Sequence, residues 1–243
     1  MDNPTEILRH VNERYSQCSS YSDSGYVLFD DVHQEKERLA FRTEFVRPDY
    51  FCFEWQDYGP RRGKSERFST LWSSGDKTLM RRDTSKVTVE EQPSLELAIA
   101  CATGCSAAAA NTVPPLLIAE LRASKHLFLL TDLELIGQEV VDEHPCYVLK
   151  GSLFQKGDHV LLISKSDYSL RRVTSDKSQT AEGSEKMFKE ITGNADLMAK
   201  LVDRGIAPPT EMKHKARRFV TEYVYTDVSF DGSIVRAPQP VAV

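Results

Sequence analysis

The sequence predicts a mainly β fold of the α+β class, in which a strongly curved antiparallel sheet forms an incomplete barrel. An N-terminal helix and a central apolar helical insertion are expected to close this barrel. Short strand patterns separated by turn residues occupy both halves of the chain, which is typical of an antiparallel meander. Between them, residues 94–121 (the insertion) are rich in Ala and Leu and contain two acids and no base. A helix that is apolar on nearly every side must be buried, and a sheet curved around the insertion would bury it.

The composition narrows the class of protein. Of the 243 residues, 40% are hydrophobic and 28% are charged, which is typical of a globular chain rather than a disordered one. The net charge of −5 argues against a nucleic-acid partner, because such proteins concentrate positive charge. No apolar run reaches the roughly 20 residues that span a bilayer. We therefore expect one domain over residues 1–243, a monomer, no nucleic-acid partner and no transmembrane segment.

The first helix is predicted at the N-terminus. Asn3 or Thr5 can cap it, Pro4 suits its first turn, and it should end near Ser16. Its buried stripe recurs at helical spacing and comprises Ile7, Leu8, Val11 and Tyr15.

Strands are predicted on both sides of the insertion. Period-two patterns and turn residues place them at 25–31, 39–46, 50–55, 67–73, 77–80 and 87–91, then at 133–141, 145–153, 158–163, 170–175 and 219–230. The last strand is apolar on both faces, which predicts that both of its faces are covered.

Two segments interrupt the strands. The insertion is predicted to hold helices at 94–103 and 114–121, with Gly104 as a hinge that would let it move as a lid. The alternative is a fixed plug that fills the barrel. Residues 176–217 are charged and irregular, with one predicted helix at 195–204.

A row of aromatic residues is the predicted wall of a ligand cavity, because aromatic rings provide large and stiff apolar surfaces. Ordinary core packing is the alternative for any one of them. The wall residues are Phe41, Phe45, Phe51, Phe53, Trp55 and Trp72.

The cysteines and histidines indicate neither a metal site nor a catalytic site. Five cysteines do not form a disulfide framework, and Cys101 and Cys105 lack a second pair of ligands. The sequence contains no Gly-x-Ser-x-Gly motif and no phosphate-binding loop. His144 and Cys146 are close in the chain, but nothing else in the sequence pairs them as base and nucleophile. We therefore expect no enzyme activity, no catalytic residue, no metal and no cofactor.

Three motifs occur in an order that is similar to that of a known family. They are the strand–Arg-Pro–strand segment at 41–55 with Arg47 and Pro48, the hairpin at 71–79, and the hairpin at 159–173. Together they resemble LolA-like proteins, a family that includes periplasmic carriers of outer-membrane lipoproteins. The Cys-Ala-Thr-Gly run at 101–104 and the Asn-Thr-Val-Pro run at 111–114 resemble the little-characterised members most closely.

This resemblance implies an incomplete barrel whose apolar cavity holds acyl chains beneath a helical lid. It also implies that Arg47 holds the lid closed through hydrogen bonds; the alternative is a turn residue that faces water. The lid residues that we assign with Arg47 are Leu97, Ile99, Leu117 and Ile118. About fifty extra residues, including 176–217, set this chain apart from the carrier.

The sequence supports three functional hypotheses. The first is non-catalytic binding of an acyl chain, a lipid or the lipid of a lipoprotein, as a carrier in the cell envelope. The second is a sensor or interaction module with a plugged barrel, which would contact an envelope protein through 176–217 and the basic turns at 61–64 and 213–218. The third is an enzyme that uses the cavity as a reaction chamber.

The compartment stays open at this point. The first residues lack the basic and apolar regions of a signal peptide. The protein is periplasmic or in the cell envelope if a signal peptide has been removed, and cytoplasmic otherwise.

Overall fold

A computed structural model describes residues 3–30, 36–59, 63–83, 86–124, 126–153, 157–177, 193 and 220–241. Its helices are α1 (Pro4–Gln17), α2 (Leu95–Cys105) and α3 (Pro114–Leu117). Its strands are β1 (Ser20–Asp30), β2 (Lys36–Val46), β3 (Tyr50–Gly59), β4 (Gly63–Ser74), β5 (Lys77–Asp83), β6 (Val87–Glu91), β7 (Thr131–Val141), β8 (His144–Leu153), β9 (Gly157–Ser164), β10 (Leu170–Asp176) and β11 (Val220–Phe230). The predicted helix at 195–204, the basic residues at 61–62 and 213–218, and nearly all of 176–217 lie outside the described residues.

The strands form one antiparallel sheet of eleven strands in the order β6-β5-β4-β3-β2-β1-β11-β10-β9-β8-β7. The edge strands β6 and β7 do not pair with each other, so the sheet is curved but not closed, as the sequence predicts. These two strands follow each other in the chain although they lie at opposite edges. The segment that connects them, which contains the insertion, therefore extends from one edge of the sheet to the other.

The insertion crosses the concave face of the sheet. Its side chains belong to the same hydrophobic core as the inward-facing residues of the sheet. Several of them are at most 1% exposed: Ala98, Ala102, Ala109, Ala110, Leu116 and Leu117. The lack of charge in this segment follows from its path, because a buried charge without a partner is strongly unfavourable.

Helix α1 closes one end of the sheet, as predicted. The Asn3 side chain accepts a hydrogen bond from the Thr5 amide and caps the first turn. The predicted stripe Ile7, Leu8, Val11 and Tyr15 is buried. None of the helices in the described part of the chain is long and apolar enough to cross a membrane.

Two element boundaries differ from the sequence prediction, and one strand pairing is irregular. Strand β1 begins at Ser20 rather than at Gly25, because its serines alternate with the buried residues Tyr21 and Asp23. Helix α3 ends at Leu117, because Ile118 adopts an extended backbone conformation. In β11 the pairing with β1 shifts near Asp227, where φ is 48°.

The convex face carries a second, smaller cluster beneath the segment after β11 (the strap, residues 231–241). The Trp72 indole N–H donates to the Ala237 carbonyl over 3.1 Å, and the Ala237 amide donates to the Tyr50 hydroxyl over 2.8 Å. Cys52 and Leu79 complete the buried cluster. The strap therefore covers part of the sheet on the side away from the insertion.

Replacing Gly25 with alanine should destabilise the protein by about 1–3 kcal/mol, which urea denaturation would measure. A Cβ atom at this position would lie 2.5 Å from the Phe41 ring and nearer still to the Val224 carbonyl oxygen.

Gly104→Ala is the matched control for this change. Position 104 has open space around it within α2, so the same methyl group should stabilise the helix by about 0.5–1 kcal/mol. Equal stability of the two variants would contradict the close packing at Gly25.

Candidate functional site

Five of the six predicted wall residues share the concave face of β2 and β3. The register pairs Phe41 with Trp55 and Phe45 with Phe51, so the row continues across both strands. Phe53 stacks on Trp55 with ring centroids 5.5 Å apart. All five side chains are at most 4% exposed. They form a continuous aromatic wall beneath the insertion.

Trp72, the sixth predicted wall residue, lies elsewhere. It pairs with Cys52 across β3 and β4, and both belong to the convex cluster beneath the strap. Leu71 takes the corresponding position on the concave side, where it pairs with Phe53. The sequence grouped Trp72 with the other aromatic residues because it does not reveal the register between two strands.

The predicted lid residues do not all face the sheet. Ile99, Leu117 and Ile118 are buried against the concave core. Leu97 is 47% exposed and lies on the outer side of α2. We therefore leave Leu97 out of the surface that covers the aromatic wall.

Arg47 joins two helices at their C-terminal ends. Its guanidinium donates to the carbonyl oxygens of Ser16 (2.6 Å) and Cys18 (2.7 Å) where α1 ends. It also donates over 3.1 Å to the carbonyl oxygen of Leu117, the last residue of α3. The last carbonyls of a helix lack partners within the helix and carry partial negative charge, so a guanidinium suits them.

A groove of about 390 Å³ opens beside Arg47, where the sheet and the insertion meet. Its apolar lining includes two wall residues, Phe45 and Phe51, and two residues of the insertion, Leu117 and Ile118. Carboxylates at its rim come from Asp49, Asp76, Glu96 and Glu120. The groove is thus an opening of mixed polarity next to the Arg47 side chain, with residues of the aromatic wall and of the insertion in its lining.

The concave face also contains a buried carboxylate, which the sequence analysis did not identify. Asp23 is 2% exposed on the central strand β1. It accepts hydrogen bonds from the Tyr21 hydroxyl over 2.7 Å and from the Thr43 amide over 3.0 Å. Burial raises the pKa of Asp23 to about 6, although these hydrogen bonds act in the opposite direction. The alternation of Tyr21, Asp23, Gly25 and Val27 could have indicated an inward-facing acid.

The cysteines that the sequence analysis singled out lie on α2. Cys101 is exposed, and the Cys105 sulfur accepts a hydrogen bond from Arg82 over 3.0 Å. Among the described residues, no group of three or more His, Cys, Asp and Glu side chains is arranged to hold a metal ion.

No family model and no curated protein matches the sequence. Several known structures, however, have a similar architecture at low sequence identity. LprF from Mycobacterium bovis has 8% identity over 97% of this chain and 96% of its own, with a TM-score of 0.51. The lipoprotein LppX from Mycobacterium tuberculosis has 9% identity over 96% of this chain and 98% of its own, with a TM-score of 0.48. A LolA superfamily protein from Nitrosomonas europaea has 8% identity over 94% of this chain and 93% of its own, with a TM-score of 0.30.

Likeness at this level of identity concerns the fold alone. An unclosed, curved antiparallel sheet whose concave face is crossed by helices is the fold that the sequence resemblance predicts. The chain therefore shares the fold of LprF, and this open, curved sheet is what the resemblance to LolA-like proteins led us to expect.

The buried Asp23 should make the protein less stable as the pH rises. The native state keeps this proton between about pH 4 and pH 6, where the unfolded chain has released it. The native state then binds more protons, so the free energy of unfolding falls through this window. Relative to an unperturbed aspartate, about 3 kcal/mol is lost by pH 7.

Urea denaturation at several pH values would measure this loss, with Asp23→Asn as the comparison. Other carboxylates titrate in both proteins, so the difference between the two curves isolates Asp23. Parallel curves for the two proteins would contradict a raised pKa at this position.

Proposed function

We propose that this protein binds an acyl chain, a lipid or the lipid of a lipoprotein inside the half barrel and acts without catalysis. The ligand would be held by burial against the aromatic wall and released when the insertion moves. The envelope compartment, and carriage between membranes as the role, belong to this proposal and rest on the resemblance described above.

The way in which the insertion is fastened is the observation that carries the proposal. One guanidinium links the end of α3 to the end of α1, and the groove that Phe45 and Phe51 help to line opens directly beside it. Loss of the bond from Arg47 to Leu117 would free the end of α3 without breaking a strand pairing of the sheet. An acyl chain that enters at the groove would then meet Phe45 and Phe51 first.

A second function is favoured by the packing of the insertion. Ala98, Ala102 and Ala110 are fully buried, as in a permanent core. If the insertion were a permanent plug, no ligand could enter the half barrel, and the outer surface would be the functional surface. The protein would then act as a sensor or interaction module in the envelope.

Ligand retention separates these two functions. Native mass spectrometry and organic extraction of the purified protein, before and after incubation with stearate, should reveal a bound acyl chain. Phe53→Glu should lower retention by about tenfold or more, because the change buries a charge in the wall.

Phe68→Glu is the matched control, because Phe68 is 39% exposed and the same change there should leave retention intact. Phe53→Ala provides a milder wall variant if Phe53→Glu fails to fold. Full retention by a folded wall variant would contradict the aromatic wall, and no uptake by the unmodified protein would favour the plugged module.

Arg47→Met should speed stearate uptake. The change removes a charge-assisted hydrogen bond to Leu117, worth about 1.5–3 kcal/mol, so the open state should be populated about tenfold more or beyond. Uptake kinetics and amide hydrogen exchange in the insertion would measure the effect.

Arg42→Met is the control for loss of an arginine. Arg42 forms an ion pair with Glu54 over 2.7 Å and does not contact the insertion. Unchanged exchange in the insertion of Arg47→Met would show that Arg47 does not fasten it.

A further inference from the structure

Three buried hydroxyl groups lack a hydrogen-bond partner among the described residues: Thr43 Oγ1, Ser175 Oγ and Tyr225 Oη. Two of them, Thr43 Oγ1 and Tyr225 Oη, lie on the central strands, and both of these residues are 1% exposed. A buried hydroxyl that lacks a partner is unfavourable, whereas valine and phenylalanine would fill the same space without that loss. Packing alone therefore does not account for these two side chains.

The two hydroxyls belong to the same part of the concave face as Asp23. Thr43 on β2 pairs directly with Asp23 on β1. Tyr225 on β11 pairs with Gly25, two residues further along β1. The three side chains thus come from the three central strands of the sheet.

The polar groups of this cluster have hydrogen-bonding capacity that the described residues do not use. The two carboxylate oxygens of Asp23 accept two hydrogen bonds, from Tyr21 and from the Thr43 amide, and a carboxylate can accept about four. The Thr43 hydroxyl lies beside this carboxylate but without the geometry of a hydrogen bond. The phenol of Tyr225 can both donate and accept. The cluster therefore offers acceptors at Asp23 and Thr43 and a donor at Tyr225.

The insertion covers the cluster without completing it. Thr112 of the insertion lies close enough to Tyr225 for their side chains to interact, but without the geometry of a hydrogen bond. Its hydroxyl donates to the Ala109 carbonyl over 2.7 Å, within the insertion itself. When the insertion lies on the sheet, Tyr225 Oη and Thr43 Oγ1 remain without partners.

We propose that Asp23, Thr43 and Tyr225 form a polar subsite that binds a hydroxyl group carried along an otherwise apolar chain. The preferred ligands are therefore hydroxylated acyl chains rather than plain ones. A hydroxyl is the small group that can donate to Asp23 and accept from Tyr225 at the same time. This inference rests on the proposed function, because the ligand has to enter the half barrel to reach the subsite.

The expected selectivity follows from the cost of leaving buried polar groups without partners. A ligand hydroxyl that satisfies one or two of them should raise affinity by about 10–100-fold over the same chain without it. The position of the hydroxyl along the chain matters, because the subsite is fixed and the groove at Arg47 determines where the chain enters.

Competition binding would test this selectivity with stearate and with three hydroxystearates, which carry the hydroxyl on the third, tenth or twelfth carbon. At least one hydroxystearate should bind about tenfold more tightly than stearate. Tyr225→Phe and Thr43→Val, which keep the shape of the side chains, should lower the affinity for that hydroxystearate towards the level of stearate.

Tyr26→Phe is the control, because Tyr26 packs against Arg38 on the other face of β1. It should keep the full preference. Equal binding of stearate and all three hydroxystearates would overturn the subsite while leaving the proposed function intact. No binding of any chain would overturn both, and a preference that survives in Tyr225→Phe and in Thr43→Val would overturn the assignment of these residues.

Discussion

The path of the chain between β6 and β7 is the constraint on which the structure depends. These strands lie at opposite edges of an open sheet, so the chain that joins them has to cross the concave face. Water is excluded along that route, and the insertion is accordingly apolar and almost without charge. Its own secondary structure is short and broken by 3₁₀ turns, which leaves its position to be set by contacts with the sheet and with α1.

Arg47 is the main polar element of those contacts. It lies in the turn between β2 and β3, and its guanidinium reaches the ends of both α1 and α3. The strap stabilises the same turn from the convex side, where Arg236 forms an ion pair with Asp49 over 3.3 Å. The turn that carries Arg47 is therefore held by α1 and by the strap. Two further hydrogen bonds attach the insertion to the sheet, from Arg82 to the Cys105 sulfur and from the Tyr223 hydroxyl to the Ala107 carbonyl.

The concave face combines two kinds of surface. The aromatic wall on β2 and β3 suits an apolar chain of any length that fits. The central strands carry Asp23, Thr43 and Tyr225, whose polar groups are not fully satisfied beneath the insertion. If the insertion opens as proposed, this mixture would weaken the closed state slightly and would give an incoming ligand polar groups to bind, unlike a uniformly apolar interior.

The sequence predicted the sheet, α1 and the insertion, because strand periodicity and the absence of charge are local patterns. The resemblance drew attention to Arg47, whose hydrogen bonds to the ends of α1 and α3 are compatible with the lid role, and that role stays a prediction. Register could not be predicted in this way, so Trp72 was grouped with the aromatic wall although it belongs to the convex cluster. Leu97 was assigned to the lid without a side, and it is exposed. Asp23 was missed because its serine-rich surroundings resemble a loop, and only pairing with β2 and β11 makes them a strand.

The central claim is that the insertion moves away from the sheet to admit a ligand. Electron-spin distance measurement between labels on Leu97→Cys and Val140→Cys tests it directly, since both positions are exposed and only the first is on the insertion. Cys101→Ser and Cys105→Ser would remove the native thiols on α2. A longer distance when stearate is bound is the predicted result, and an unchanged distance in the lipid-bound protein would contradict the account.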